Sequence, residues 1–250
     1  MNILVKTVLS TTASFALLSI GNAQYVNGDL IFGFTKGSTD VMFDIGTPAS
    51  IGVGGSGSVD LSGKVSASLL NGSYASGLSS LSFGIVGENS TGPAGSQKSI
   101  YLTVPQGSPA PFTVPNVSSW NVISLNVDSA GAAIDGSGTP ANSAVVDNTA
   151  GIGVSFLENI TSPTGNTFAK NYQDPTVSTP ATFNSGSVLE DLYSATADNA
   201  TPHLLGTLTF NSDGSSSFTP AAVPEPAAYG LLLMGGLVVL GWRRVWSSRR

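Results

Sequence analysis

The chain has 250 residues, and its nine basic and 15 acidic side chains give a formal net charge of −6, with charged residues only 10% of the whole. All four arginines, Arg243, Arg244, Arg249 and Arg250, fall in the last eight residues, so the rest has no basic stripe to neutralise phosphates, which argues against nucleic acid as a partner. Cysteine is absent, which removes disulfides and thiolate metal sites and leaves stability to burial.

Residues 1–23 open with a single lysine, Lys6. They continue through an apolar run around Phe15, Ala16, Leu17, Leu18 and Ile20, and close on Gly21, Asn22 and Ala23. Small residues three and one before a cut, here Gly21 and Ala23, are the pattern of a secretory signal peptide, whose apolar part is too short to be a stable span. Cleavage between Ala23 and Gln24 is expected, with an uncleaved N-terminal anchor as the alternative.

From Gln24 to about Thr219, short β-branched or aromatic runs alternate with Gly, Ser, Asn, Asp and Pro, and no helical apolar period is sustained. Strands are predicted at Leu30–Thr35, Val41–Ile45, Leu81–Val86, Ile100–Val104, Val122–Val127, Gly153–Leu157, Val188–Tyr193 and Leu204–Phe210. The last run leads through Asn211-Ser-Asp213-Gly214 into Ser217, Phe218 and Thr219, a hairpin signature. Gly131–Asn148 and Thr161–Thr182 read as long loops, the Ala-rich part of the first having some helical character. The expected fold is all-β: one jelly-roll-like β-sandwich over residues 24–222.

Motifs that carry chemistry are sparse in this region. Gly52-Val-Gly54-Gly-Ser-Gly57 has the letters of a dinucleotide fingerprint, but Ser-Val-Asp-Leu-Ser-Gly follows it and starts a helix poorly, so a loop is expected. His203 is the only histidine and cannot build a multi-histidine metal site; it suffices for one triad, yet no Gly-x-Ser-x-Gly occurs. Glu190 and Asp191 are adjacent, so a strand sends them to opposite faces, unlike a glycosidase pair. They read as solvated or capping acids.

Asp135-Gly-Ser-Gly and Asn211-Ser-Asp213-Gly place oxygens in tight turns but lack the glutamate that completes an EF-hand loop. Trp120, with Tyr74 or Tyr101, is either core or a sugar-stacking platform. Neither a cofactor nor a metal is expected.

Residues 223–250 combine Val223-Pro224-Glu225-Pro226, an apolar segment from Ala227 to Trp242, and a basic terminus. Pro224 and Pro226 fix φ and lack N–H donors, so they hold Glu225 in an extended, helix-free stretch. The Leu/Val/Gly-rich segment closes its own backbone hydrogen bonds as a transmembrane helix, with Tyr229, Trp242 and Trp246 suited to the interfaces. Arg243, Arg244, Arg249 and Arg250 place the C-terminus in the cytoplasm by the positive-inside rule. A simple membrane anchor shares the helix and the charges; the Pro-Glu-Pro before them is the distinguishing feature.

Val223-Pro224-Glu225-Pro226, an apolar helix and Gly241-Trp242-Arg243-Arg244, in that order, resemble the PEP-CTERM sorting signal. The resemblance implies a Gram-negative bacterium and recognition by an exosortase, a membrane-embedded cysteine enzyme that cuts near Pro-Glu-Pro. It also implies delivery of the body to the cell surface or an exopolysaccharide matrix.

The expected protein is therefore a non-enzymatic surface or matrix component held transiently in the membrane. Its partners would be the exosortase and extracellular polysaccharide. A carbohydrate-binding or adhesive module is the alternative, and a secreted hydrolase built on His203 ranks last.

Overall fold

The computed structural model describes residues 25–89, 99–109, 117–137, 142–147, 156, 181–196 and 199–222. The chain enters the sheet through β1 (Leu30–Lys36) and β2 (Thr39–Gly46), a hairpin whose two-residue loop starts with Gly37 at φ +60°. A left-handed first loop residue matches the twist of the flanking strands. Both strands are apolar without strict alternation, as strands covered on both faces must be. Leu30, Phe32 and Phe34 enter one core while Ile31 enters another on the opposite face.

After β2, a 3-10 turn at Pro48–Ile51 and a glycine-containing loop lead to β3 (Val59–Asp60) and the short helix α1 (Ala67–Ser73). Ser66 caps α1 by accepting the Leu69 N–H at 3.2 Å. Tyr74 follows the helix and donates to Phe34 O at 3.0 Å, which ties α1 to β1. The remaining elements are β4 (Leu81–Asn89), β5 (Ser99–Pro105), helix α2 (Val117–Gly136), β6 (Ser143–Asp147), β7 (Ala181–Phe183), β8 (Ser187–Thr196), β9 (Asn199–Asn211) and β10 (Ser216–Pro220).

All ten strands join one antiparallel sheet in the order β3-β10-β9-β8-β5-β4-β1-β2-β6, with β7 added to β4. The two separate sheets of the expected jelly-roll-like sandwich are thus replaced by one continuous sheet. Phe210 on β9 lies 5.2 Å from Phe34 and 6.3 Å from Phe32 between ring centroids, although β9 and β1 are four strand positions apart. A flat sheet would separate them by about 19 Å at ~4.8 Å per strand, so the sheet curls until its own inner face closes. Phe32, Phe34, Phe43, Phe83, Phe183, Phe210 and Phe218 fill that inner face.

The outer face is covered by α2, which buries Ile123, Val127, Ala130 and Ile134 against Ile31, Met42, Ile100 and Leu102. The strand expected at Val122–Val127 is therefore helix, because those apolar positions recur at helical spacing over the longer window. The loop expected over Gly131–Asn148 includes the end of α2 and all of β6. Ala181 and Thr182, at the end of the second expected loop, belong to β7. The strand expected at Gly153–Leu157 lies outside the described residues apart from Phe156, which is helical and packs its ring where a Cβ on Gly33 would stand.

Candidate functional site

The C-terminal flank of the domain is locked into the sheet to its last residues. Along β10, Phe218 is fully buried, Thr219 pairs with Thr207, and Pro220 pairs with Gly206. Gly206 is required here by close approach, since a Cβ would run into Thr219 O and stand 2.9 Å from Pro220 Cα. The Ala221 N–H then donates to Leu205 O at 2.8 Å. Ala222 is the last described residue, and Pro224 follows two residues later, within about 7 Å along an extended chain. Pro224, Glu225, Pro226, Arg243, Arg244, Arg249 and Arg250 lie outside the described residues, as does the expected transmembrane segment. Among the described residues no helix is long and apolar enough to cross a membrane.

At the other flank Ala23 and Gln24 also lie outside the described residues, which begin at Tyr25. The Tyr25 N–H donates to Asp135 Oδ1 at 2.7 Å and the Val26 N–H to Asp29 Oδ2 at 3.0 Å. The Gly28 N–H donates to Glu88 O at 2.9 Å, and Asn27 Nδ2 donates to Glu88 Oε1. The Tyr25 ring sits against Gly131 of α2, where any Cβ would overlap it.

Five carboxylates act on this region, from Asp29, Asp44, Glu88, Asp128 and Asp135. Burial pushes the Tyr25 phenol well above its ordinary range, and the charges of Asp128, Glu88, Asp29 and Asp44 add to the effect. Burial also pushes the Asp44 carboxyl up to about 6. The Gly46 N–H opposes that rise, Asp29 adds to it, Lys64 opposes it, and Asp135 adds again. The Asp128 carboxyl is raised by burial, against a hydrogen bond with Glu88. Among the described residues no group of three or more His, Asp or Glu side chains is arranged to hold a metal ion. No sequence signal announces this grouping, because its members run from Asp29 to Asp135 and only tertiary packing joins them.

The other sequence candidates are dispersed. His203 is exposed on β9, opposite Ser194 of β8. Glu190 and Asp191 face opposite sides of β8 as expected, but Glu190 is fully buried near Gly84 and Thr103 rather than solvated. Asp191 Oδ1 accepts from Thr207 Oγ1 at 2.8 Å.

Gly52 to Gly57 form a loop that runs into strand β3, not into the helix N-terminus that would receive a pyrophosphate. Asp213 accepts the Ser215 N–H and hydroxyl at 2.8 and 2.6 Å, and those bonds hold its carboxyl below the usual range. That is turn chemistry. Tyr74 is buried and bound to Phe34 O, so it is not available to a sugar-stacking platform; Trp120 lies in α2 with its side chain outside the described residues.

Residues 222–245 match the family model of the PEP-CTERM protein-sorting motif. Neither a curated protein nor a solved structure matches the chain. The match begins at Ala222, one residue after the last backbone hydrogen bond of β10. The chain thus carries a PEP-CTERM sorting motif joined directly to a folded, strand-rich domain, and the motif implies an exported protein sorted by an exosortase.

Proposed function

We propose that the chain is a non-enzymatic surface or extracellular-matrix protein of a Gram-negative bacterium, released from a transient membrane anchor by an exosortase. The observation that carries this reading is the sorting motif at residues 222–245, set immediately beyond the closing strand. In this reading the signal peptide is removed between Ala23 and Gln24, and residues 24–222 fold outside the cytoplasmic membrane. The segment from Ala227 to Trp242 holds the domain as a transmembrane helix while Arg243, Arg244, Arg249 and Arg250 keep the C-terminus cytoplasmic. Pro224 and Pro226 keep Glu225 extended for the enzyme.

The surface supports a matrix location. Charged residues are few, and hydroxyl and amide side chains supply most of the polarity, which suits association with neutral polysaccharide more than with charged polymers. A carbohydrate-binding module is the second reading, and the exposed position of the single histidine on β9 favours either over a hydrolase.

Intact-mass measurement of protein from the cell surface and medium of the producing cells tests the proposal. Loss of residues 1–23 and of everything beyond about Pro226 is expected for the native chain, and Glu225→Ala is expected to retain the tail in the membrane. Normal release of a variant with Pro224, Glu225 and Pro226 all changed to alanine would sink it.

A further inference from the structure

Strand directions put both flanks of the domain at one end of the sheet. Each pairing from β1 through β4, β5, β8 and β9 to β10 is antiparallel, so β1 starts at the end where β10 stops. At that end β9 does not stop with its neighbour. Pro220 of β10 pairs with Gly206, whereas β9 begins at Asn199, paired there with Thr196 of β8. At about 3.3 Å per residue, the β8–β9 hairpin runs roughly 23 Å past the last pair of β10. The chain from Pro220 to Ala227, where the expected membrane segment starts, spans at most about 25 Å when fully extended. The two lengths match. With the strands upright, the hairpin tip stands at the bilayer surface when this tether is straight, and is drawn against it when the tether is not.

The sides of this end differ in what they offer a bilayer. Beyond β10 lies β3, where Asp60 is exposed and the Ser62 N–H and hydroxyl hold its carboxyl below the usual range. Toward β1, β2 and α2, the same end carries Asp29, Asp44, Glu88, Asp128 and Asp135 around Tyr25. Turning either side to the surface would strip water from carboxylates, which is costly. The hairpin between them bears little charge, since Asp198 and His203 are the only ionisable side chains from Ser194 to Leu205. It also presents Leu204, which is 45% exposed and lies past the last pair of β10. An exposed leucine gains by leaving water.

We propose that the β8–β9 hairpin is the membrane-facing surface of the anchored precursor, and that Leu204 and the strand end around it rest on the headgroups of neutral phospholipids. The inference rests on the proposed anchoring of the chain by Ala227 to Trp242 and goes beyond it by assigning the orientation of the domain. A body propped on the hairpin keeps residues 223–226 close to full extension, the state in which Pro224 and Pro226 already hold Glu225.

Because the chain has no cysteine, a single introduced one carries a fluorophore without competition. The test places it by Leu204→Cys and, as reference, by Ser212→Cys in the β9–β10 turn, which is exposed at the opposite end of the sheet. Each full chain is reconstituted into vesicles of phosphatidylcholine and phosphatidylethanolamine, with and without a lipid bearing a nitroxide on its headgroup. Quenching at position 204 is expected to exceed that at position 212 severalfold. A ten-residue Gly/Ser insertion after Ala222 adds roughly 17 Å of mean reach and is expected to remove most of that difference. Equal quenching at the two positions, or a difference that the insertion leaves intact, overturns the docking. Flotation of the same vesicles separates the two readings. If the chain floats with them and the two positions quench alike, the anchor stands and the docking falls. If the chain does not float, the anchor itself falls and the docking with it.

Discussion

Asp44 shows how a single side chain at the end of β2 sets a condition on the whole domain. Its carboxyl is raised to about 6 from an ordinary 3.8, first by burial and then by Asp29 and Asp135, while the Gly46 N–H and Lys64 resist. A group whose pKa is raised on folding binds its proton more tightly in the native state, so it adds stability below its unfolded pKa and withdraws it as pH rises through the folded one. The domain is therefore expected to lose stability between about pH 4 and pH 7. The loss is about 1–2 kcal/mol once solvent screening reduces the ~3 kcal/mol that a shift of this size would otherwise carry. Asp44→Asn keeps the shape and removes the titration, so thermal melts from pH 4 to 7 should show a shallower decline and a higher melting point at pH 7. Superimposable profiles for the two proteins would refute the role given to Asp44. None of this was legible in the sequence, where Asp44 is one acid among 15; its environment is made by chain segments about 15 and 90 residues away.

At the scale of elements, sequence reading succeeded where a strand has apolar residues enough to declare itself. The runs at Leu30, Val41, Leu81, Ile100, Val188 and Leu204 are all strands, and the closing hairpin turns on Asn211 to Gly214 as its composition implies. It failed where the element is short or its signal diluted. β7 has three residues and β6 five, and α1 has seven, announced only by its Ser66 cap. In α2, Val-Ile-x-Leu-x-Val looks like a strand over six residues, and the Ser, Ala and Gly that follow blur the helical period until Ile134 restores it. The structure separates the alternatives by burial: Ile123 of α2 is fully buried against the sheet, whereas Leu125 is 65% exposed. A strand would put those two on the same face. Ile123→Ala is expected to cost about 2–4 kcal/mol and Leu125→Ala no more than about 0.5 kcal/mol in chemical denaturation. Equal losses at the two positions would contradict the helix.

For the whole molecule, the question is how a folded domain and a sorting motif share so short a junction. The motif itself was legible, because order and composition define it over adjacent residues and no folding is needed to assemble it; the carboxylate grouping around Tyr25 was not, because β2, β4 and α2 meet there only in three dimensions. The Ala221 N–H bond to Leu205 O holds the chain on the sheet almost to Ala222, so Pro224 is tethered within about 7 Å of the folded body. On the proposed function, an exosortase that grips Pro224, Glu225 and Pro226 at the membrane must then work against the end of β10, where it pairs with the middle of β9. In that proposal the prolines favour an extended grip, but they add no length beyond what an extended chain allows. Deleting Ala221 and Ala222 draws the motif onto the sheet and is expected to slow conversion of precursor to processed protein several-fold in a pulse-chase experiment. A ten-residue Gly/Ser insertion after Ala222 adds a mean reach of roughly 17 Å and is expected to be processed at least as fast as the native chain. Identical rates for all three chains would mean that the domain is not yet folded against the junction when it is cut, which would place folding after sorting instead of before it.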